Sequence, residues 1–497
     1  MTSKLIDLPQ AAALIPDGAT LSLGGFTAQR HPMAFVYELI RLGRKDLYLF
    51  GHSPGSDWDI LIGDGRVKRV ELAYEADEAF GTVGPCWRRA VESGRIEWED
   101  YSNFTMVLRF AAGAMGLPFM PTRSLLGSDV LQQEALTKEQ RRADLRTPTK
   151  KLHVMESPFG GSEKVVLVPA IHTDFAVLHV QKATPSGIIR IEGQTFADVV
   201  QALSAGTVIV TAEEIVDDSM LRAEPERNPL PFFVVNHVCH VPFGAHPYAV
   251  YNYYDYDPRQ LKAYHTAAAN TGLPMLGVML AQLTHAPNCC IIFEAGTVGS
   301  RLAHLPMSVG DPRVMRQAAS AAGLFEVFNY VLQAGRVDVG FLSGAQVDRF
   351  GNINSTSIGL DPRHPEVRFP GSGGSCDIAC LATRTIIIAK HEKRRFPEKV
   401  DYITSPGWLE GGDSRARAGL VRGGPSAVVT TMGVMRFRPE TRAIYLASYH
   451  PGLSPEKLAE NTGFPLDVRG AVETPTPTPE ELRILREQVD PEKVFLG

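Results

Sequence analysis

Cys289-Cys290-Ile291-Ile292-Phe293-Glu294-Ala295-Gly296 reads as a short buried strand that ends on a carboxylate. The run is apolar, β-branched and aromatic, and the glycine just beyond it is a stop signal. The pattern predicts that Glu294 stands where a core strand ends and the backbone turns. Ends of parallel strands in α/β sheets are where ligands bind. A carboxylate on a stiff, partly dry platform is costly unless it is paired or used. The plainer reading is a glutamate that caps the next turn. Cys289 and Cys290 read as small core residues of the strand.

Apolar runs of the same kind punctuate the rest of the chain, at 20–23, 47–50, 165–168, 208–210, 385–389 and 427–430. Helical stretches such as 33–42 and 312–322 lie between them, and a Pro-Thr lead-in over 474–479 precedes a last helix at 480–489. Strands alternating with helices predict an α/β fold with mainly parallel sheets and helical crossovers. The stretches 174–187 and 338–351 both run thirteen positions from Asp to Gly, with an apolar strand after the Asp and a Gln before a turn. Two related domains produce such an echo, and a strand followed by a turn also matches this way by chance.

At 497 residues the chain is long enough for more than one core. Apolar residues at 44% and charged ones at 21% are ordinary globular usage. A net charge of −5 with scattered basic residues leaves no electrostatic footprint for nucleic acid. The six cysteines fit no zinc spacing and suit reduced thiols in a cytosolic protein, so no metal site is expected. Residues 1–15 include Lys4, Asp7 and Pro9 and lack a continuous apolar core. With no run near the roughly 18 apolar residues of a membrane span, a soluble cytoplasmic protein without a membrane partner is expected. Gly24-Gly25-Phe26 follows a strand but lacks G-x-G-x-x-G, so a dinucleotide site is not supported.

Motifs on either side of Glu294 carry a family resemblance. They are Leu305-Pro306-Met307-Ser308-Val309-Gly310-Asp311-Pro312-Arg313, Gly344-Ala345-Gln346-Val347-Asp348-Arg349-Phe350-Gly351-Asn352-Ile353-Asn354 and Gly371-Ser372-Gly373-Gly374-Ser375-Cys376-Asp377. Farther on come His391-Glu392-Lys393-Arg394-Arg395-Phe396, Thr404-Ser405-Pro406-Gly407-Trp408 and Glu460-Asn461-Thr462-Gly463-Phe464. In that order and spacing the second half resembles the B subunit of glutaconate CoA-transferase, a family I CoA-transferase. Gly24-Gly25-Phe26, His31-Pro32-Met33-Ala34-Phe35 and Gly116-Leu117-Pro118-Phe119-Met120-Pro121-Thr122-Arg123 look like the A subunit of the same enzyme. The resemblance implies a fused chain, with an A-like domain over 1–262 and a B-like domain over 263–497. The join lies near 255–272. There the stretch 259–270 replaces the opening helix and Gly-led strand usual in the B half of the family.

The family uses the Glu at the position of Glu294 as nucleophile. The resemblance therefore implies CoA transfer from an acyl-CoA to a carboxylic, and expectedly dicarboxylic, acid by a ping-pong route through a glutamyl-CoA thioester. Coenzyme A is then a co-substrate, and no other cofactor is required. Each attack develops an oxyanion. Gly373 and Gly374 match the family's Gly-rich loop near the reacting carbonyl, or form a tight turn. Asn103 falls where the succinyl-CoA:3-ketoacid branch holds an active-site Gln, and otherwise reads as a turn residue. Gly25, Phe26, Gln346 and Asn352 are candidate substrate or CoA contacts, the last two equally turn formers. Arg123 or Arg30 could grip a distal carboxylate, or stand exposed. Lys393-Arg394-Arg395 is a solvated face or a CoA phosphate contact.

Two alternatives share the fold. A ring-opening type of CoA-thioester hydrolase would carry a Glu where Asn103 stands. A catalytically silent acyl-CoA-binding partner would lack a competent nucleophile. The family's paired A and B units imply a homo-oligomer, a dimer of fused chains.

Overall fold

Seven parallel strands form the main sheet of the first half, in the order His237–His240, Ala205–Ile215, Thr173–Ala183, Thr20–Leu23, Leu47–Phe50, Val67–Leu72, Glu97–Asp100. The short strand Ile189–Arg190 folds back antiparallel on Thr173–Ala183. The structure is a computed structural model that describes residues 2–78, 80–265, 273–359, 361, 363–491 and 493. From Thr20–Leu23 the chain steps outward strand by strand to Glu97–Asp100. It then returns to the other side of Thr20–Leu23, which makes that strand the switch point of the sheet.

Local sequence accounts for these elements. All four residues of Thr20–Leu23 and of Leu47–Phe50 are buried, as continuous apolar runs covered on both faces should be. The helix Met33–Arg41 turns Met33, Phe35, Val36 and Leu39 inward at helical spacing. The helix Asn103–Ala114 starts at a capping box between Ser102 and Thr105 and is buried from Asn103 to Gly113. It lies between the helix Asp198–Ser204 of the first half and the helix Leu324–Glu326 of the second.

The second half has a mixed six-stranded sheet, ordered Val339–Leu342, Arg384–Ala389, Pro425–Thr430, Gly433–Phe437, Ile444–Tyr449, Val472–Glu473. Its first three strands are parallel, and the next two pairings are antiparallel. Only short links separate 430 from 433 and 437 from 444, and such links make hairpins rather than crossovers. The run at 165–168 is a strand, but in a separate antiparallel sheet with Phe119–Thr122 and His153–Glu156.

Two local expectations are corrected. The stretch 289–293 is not a core strand: Cys289 and Cys290 are exposed, and its only pairing among the described residues is an isolated bridge from Ile292 to Val298. Ile291 and Phe293 alternate inward onto Val314, and that burial, with the hairpin contact to Thr297–Val298, holds the segment outside the main sheets. The helix expected over 312–322 is a 3-10 turn, Pro312–Met315, followed by the strand Ser320–Ala321. That strand pairs with Thr297–Val298, so tertiary pairing overrides helix propensity there.

The halves are joined through buried polar contacts. Arg368 donates to both oxygens of Asp100 at 2.7 and 2.6 Å, and its guanidinium lies over Trp87 and Trp98. The Asp257-capped helix Pro258–Tyr264 still packs on the first half, with Leu261 among Ala28, Met33 and Tyr248. Tyr264 and His265, which a division after 262 assigns to the second half, also contact the first. Residues 266–272 of the join lie outside the described residues. From Leu276 the chain packs on Leu305 and Ile484 of the second half.

Removing one partner of a buried pair strands the other charge, so Arg368→Ala should destabilise the protein by roughly 3–5 kcal/mol. Urea unfolding checks this, and the double variant with Asp100→Ala should recover part of the loss because no lone charge remains.

Candidate active site

The loops that follow successive parallel strands of the first sheet converge on one place, as the end of such a sheet dictates. Ser53 comes after Leu47–Phe50, Tyr74 and Glu78 after Val67–Leu72, and Asn103 after Glu97–Asp100. The second half meets them with the loop 371–374 and the turn that carries Glu294. Tyr74 bridges to Gly371, the Gly373 N–H donates to Ala73 O at 3.0 Å, and the Asn103 N–H donates to Gly373 O at 3.0 Å.

Glu294 is half-buried and sits on the turn of a small hairpin, closed by Phe293 N–H to Thr297 O at 2.9 Å. Gly296 makes that turn at φ 126°, and a Cβ there would overlap Ala322 O. Ala295 locks the turn into a core shared with Phe26, Phe104 and Phe328. The plainer turn-residue reading thus describes the backbone of Glu294, while its side chain crosses to the glycine loop. A Cβ on Gly374 would overlap Glu294 Oε2, so glycine is what allows the carboxyl to lie against this backbone.

Asn103 and Glu294 therefore flank the same dipeptide, Gly373-Gly374. Asn103 is 1% exposed; its Oδ1 accepts from Ser53 Oγ at 2.9 Å, and its buried Nδ2 has no partner among the described residues. A buried, unpaired amide donor is expensive in a finished fold and natural in a site waiting for an acceptor. The Gly373 N–H is committed to Ala73, which leaves Gly374 as the glycine whose N–H has no acceptor among the described residues.

Three carboxyls come together at this place, Glu78 and Asp377 buried and Glu294 half-buried. Burial first, and then the charges of Glu78 and Asp377, push Glu294 up from its ordinary 4.5 to about 8. Burial raises Glu78 to about 7 against hydrogen bonds from Ser308 and the Val309 N–H. Asp377 is raised to about 7 by burial, although Ser102 Oγ, Ser124 Oγ and the Phe104 N–H all donate to it. Glu78, Tyr74, Ser53 and Asp377 escaped the sequence reading. The legible signal was the acidic run Glu75-Ala76-Asp77-Glu78 just beyond a parallel strand.

Other candidates are occupied elsewhere. Gly25 has φ 95°, which suits a tight backbone turn, and its N–H donates to Asp198. Phe26 is fully buried and stacks on His52 and Phe196. Arg30 is neither exposed nor free: its guanidinium is buried on Asp198, His179 O and Gln194 O. Arg123 pairs with Glu163 at 3.0 Å on a part-exposed surface. Gln346 is tied to Asp401 and Asn354. Asn352 spends its amide on Asp348 and Leu409 O and its carbonyl on the N–H groups of Gly407 and Leu409, which is the turn-forming role. Arg394 pairs with Glu392 on the surface.

Comparison with known proteins gives the family. The family model for coenzyme A transferase matches residues 6–240 and 266–461, and the chain belongs to that family. Over 245 residues it is 44% identical to the B subunit of glutaconate CoA-transferase from Acidaminococcus fermentans, covering 48% of this chain and 91% of that one. Over 263 residues it is 40% identical to the A subunit of the same enzyme, covering 53% of this chain and 82% of that one. Sequences like both partners of a two-chain enzyme are thus fused in one polypeptide. The solved acyl-CoA transferase from E. coli O157:H7, in thioester complex with CoA, superposes with a TM-score of 0.72 over 95% of both chains. At 16% identity that likeness speaks for the fold alone.

Because the native state holds a proton on Glu294 that the unfolded chain releases above pH 4.5, stability falls as pH rises from about 4.5 to about 8. Glu294→Gln, which cannot ionise, should melt a few degrees above the wild type at pH 8, and the difference should vanish below pH 4.5. Melting curves at the two pH values check this. Gly374→Ala, by pushing the carboxyl off its seat, should remove most activity while the fold persists, measured by initial rates and circular dichroism.

Proposed function

We propose that this protein moves CoA from an acyl-CoA to a carboxylic acid through covalent intermediates on Glu294. The observation that carries the reading is that Glu294 lies against Gly374 while Asn103, its Nδ2 buried and unpartnered among the described residues, is bound to the adjacent Gly373. The ionised carboxylate attacks the thioester carbonyl, and collapse of the adduct gives an acyl-glutamyl anhydride and CoA thiolate. The thiolate attacks the glutamyl carbonyl, releasing the first acid and leaving a glutamyl-CoA thioester. An incoming carboxylate reverses both steps. Asn103 Nδ2 and the Gly374 N–H are the donors offered to the oxyanion of each adduct.

A carboxylate destabilised by burial and by two neighbouring carboxyls is a stronger base than an ordinary glutamate, and with that a stronger nucleophile. CoA is the co-substrate, and the chemistry calls for no metal or redox group. A dicarboxylic acid is supported by the glutaconate named for the relatives. Arg30 is buried on Asp198, whereas Arg123 is part-exposed and held only by a surface pair with Glu163, which leaves Arg123 the candidate of the two for a distal carboxylate. Among the described residues no helix is long and apolar enough to cross a membrane. The reading is of a cytoplasmic enzyme built as a dimer of fused chains.

Incubation with an acyl-CoA should add the mass of CoA, less water, to the wild type and nothing to Glu294→Ala, read by intact mass spectrometry. Adduct formation should accelerate with pH through about 8, because the carboxylate is the reactive form. CoA release that is fast in the absence of an acid and unchanged by adding one would instead indicate hydrolysis. Unchanged transfer by Glu294→Ala would refute the nucleophile.

A further inference from the structure

The join between the halves docks a short polar strap onto the first half. Tyr264 OH donates to Asp59 Oδ2 at 2.5 Å, and His265 Nε2 lies 2.6 Å from Asp77 Oδ2. His265 sits deep in the fold, at 6% exposure. Asp77 also receives Tyr248 OH at 2.6 Å and Ser56 Oγ, and these partners with His265 hold its carboxyl below the ordinary range in spite of burial. The seat for the imidazole is built into the backbone: a Cβ on Gly81 would overlap Nδ1 and Cγ of His265.

Asp77 lies within the loop 73–78, whose two ends are both in the site. Ala73 O accepts from the Gly373 N–H, and the Glu75 N–H donates to Pro370 O. At the other end Glu78, at φ 45°, accepts from the Val309 N–H of the second half. A non-glycine residue at positive φ is retained only where its surroundings impose it. Pinning Asp77 fixes the backbone immediately before this strained residue.

We infer that His265 is a positioning residue for the transfer reaction: acting through Asp77, it holds the loop 73–78 against the glycine loop that seats Glu294. The inference rests on the transfer reading above. It makes the join part of the active-site frame rather than a tether between two finished domains. A misplacement of about 1 Å in such a frame can cost roughly a hundredfold in rate.

The test compares His265→Ala, His265→Gln and Gly81→Ala with the wild type, scoring turnover per site titrated by covalent CoA adduct. His265→Ala should lose roughly tenfold to a hundredfold in kcat with little change in the KM for acyl-CoA. Added imidazole should restore part of it by filling the vacated seat. His265→Gln, which can still donate to Asp77, should retain more activity than His265→Ala. Gly81→Ala should show the same kcat loss with no response to imidazole, since its Cβ occupies the seat. A wild-type kcat per titrated site in His265→Ala, or a loss that imidazole leaves untouched while Gly81→Ala is normal, would overturn the inference. If the wild type forms no adduct, the transfer reading itself fails, which is a separate outcome.

Discussion

One carboxylate from the second half sits on the start of a helix from the first, and the site depends on it. Asp377 accepts from Ser102 Oγ, Ser124 Oγ and the Phe104 N–H, at the N-terminus of the helix Asn103–Ala114. An acid there satisfies donors that the helix leaves unpaired and meets the positive end of its dipole. The same turn presents Asn103, whose own N–H reaches back to Gly373 O. Glu294, the glycine loop and the amide donor are held in register because the halves share hydrogen bonds at this point, reinforced on the flank by Arg368 and Asp100.

The cost of this arrangement is electrostatic. Glu78, Glu294 and Asp377 come together from different elements, and each is raised above the ordinary carboxylate range chiefly by burial. Among the described residues no arginine or lysine enters the balance at Glu294. A fold optimised for stability would pair such a group, whereas a nucleophilic carboxylate must keep its lone pairs free. The arginines that the sequence offers are spent elsewhere: Arg30 supports Asp198 behind Gly25, and Arg109 supports Glu71 beneath the sheet. Positive charge thus stabilises the scaffold around the site and stays off the Glu294 carboxyl.

Much of this is legible in the sequence. The runs at 20–23, 47–50, 385–389 and 427–430 are strands because each is an apolar segment covered on its sheet faces. The α/β order follows from their alternation with helices. Glu294, Asn103 and Gly374 stand out from motif order, and folding brings them to one place. Gly25, Phe26, Gln346 and Asn352 stand out too, but their polar groups or rings are used within the protein. A one-dimensional motif marks a residue that must be a particular type; it does not say whether the demand comes from a ligand or from a neighbouring backbone.

By itself the sequence determined the α/β class and the fused two-half organisation, and it singled out Glu294, because these rest on local periodicity and motif order. Only the tertiary structure decided that 289–293 is one arm of a small hairpin, bridged by Ile292 to Val298, rather than a strand of the core sheet, since joining that sheet depends on chain far away in sequence. It also decided which amides are free: Gly373 and Gly374 are identical in sequence, but only Gly373 finds Ala73 as an acceptor. The elevation of Glu294 by Glu78 and Asp377 is tertiary for the same reason. Charges separated by 216 and 83 positions in the chain act on it only because folding brings them close together, where partial burial weakens the screening of Coulomb interactions.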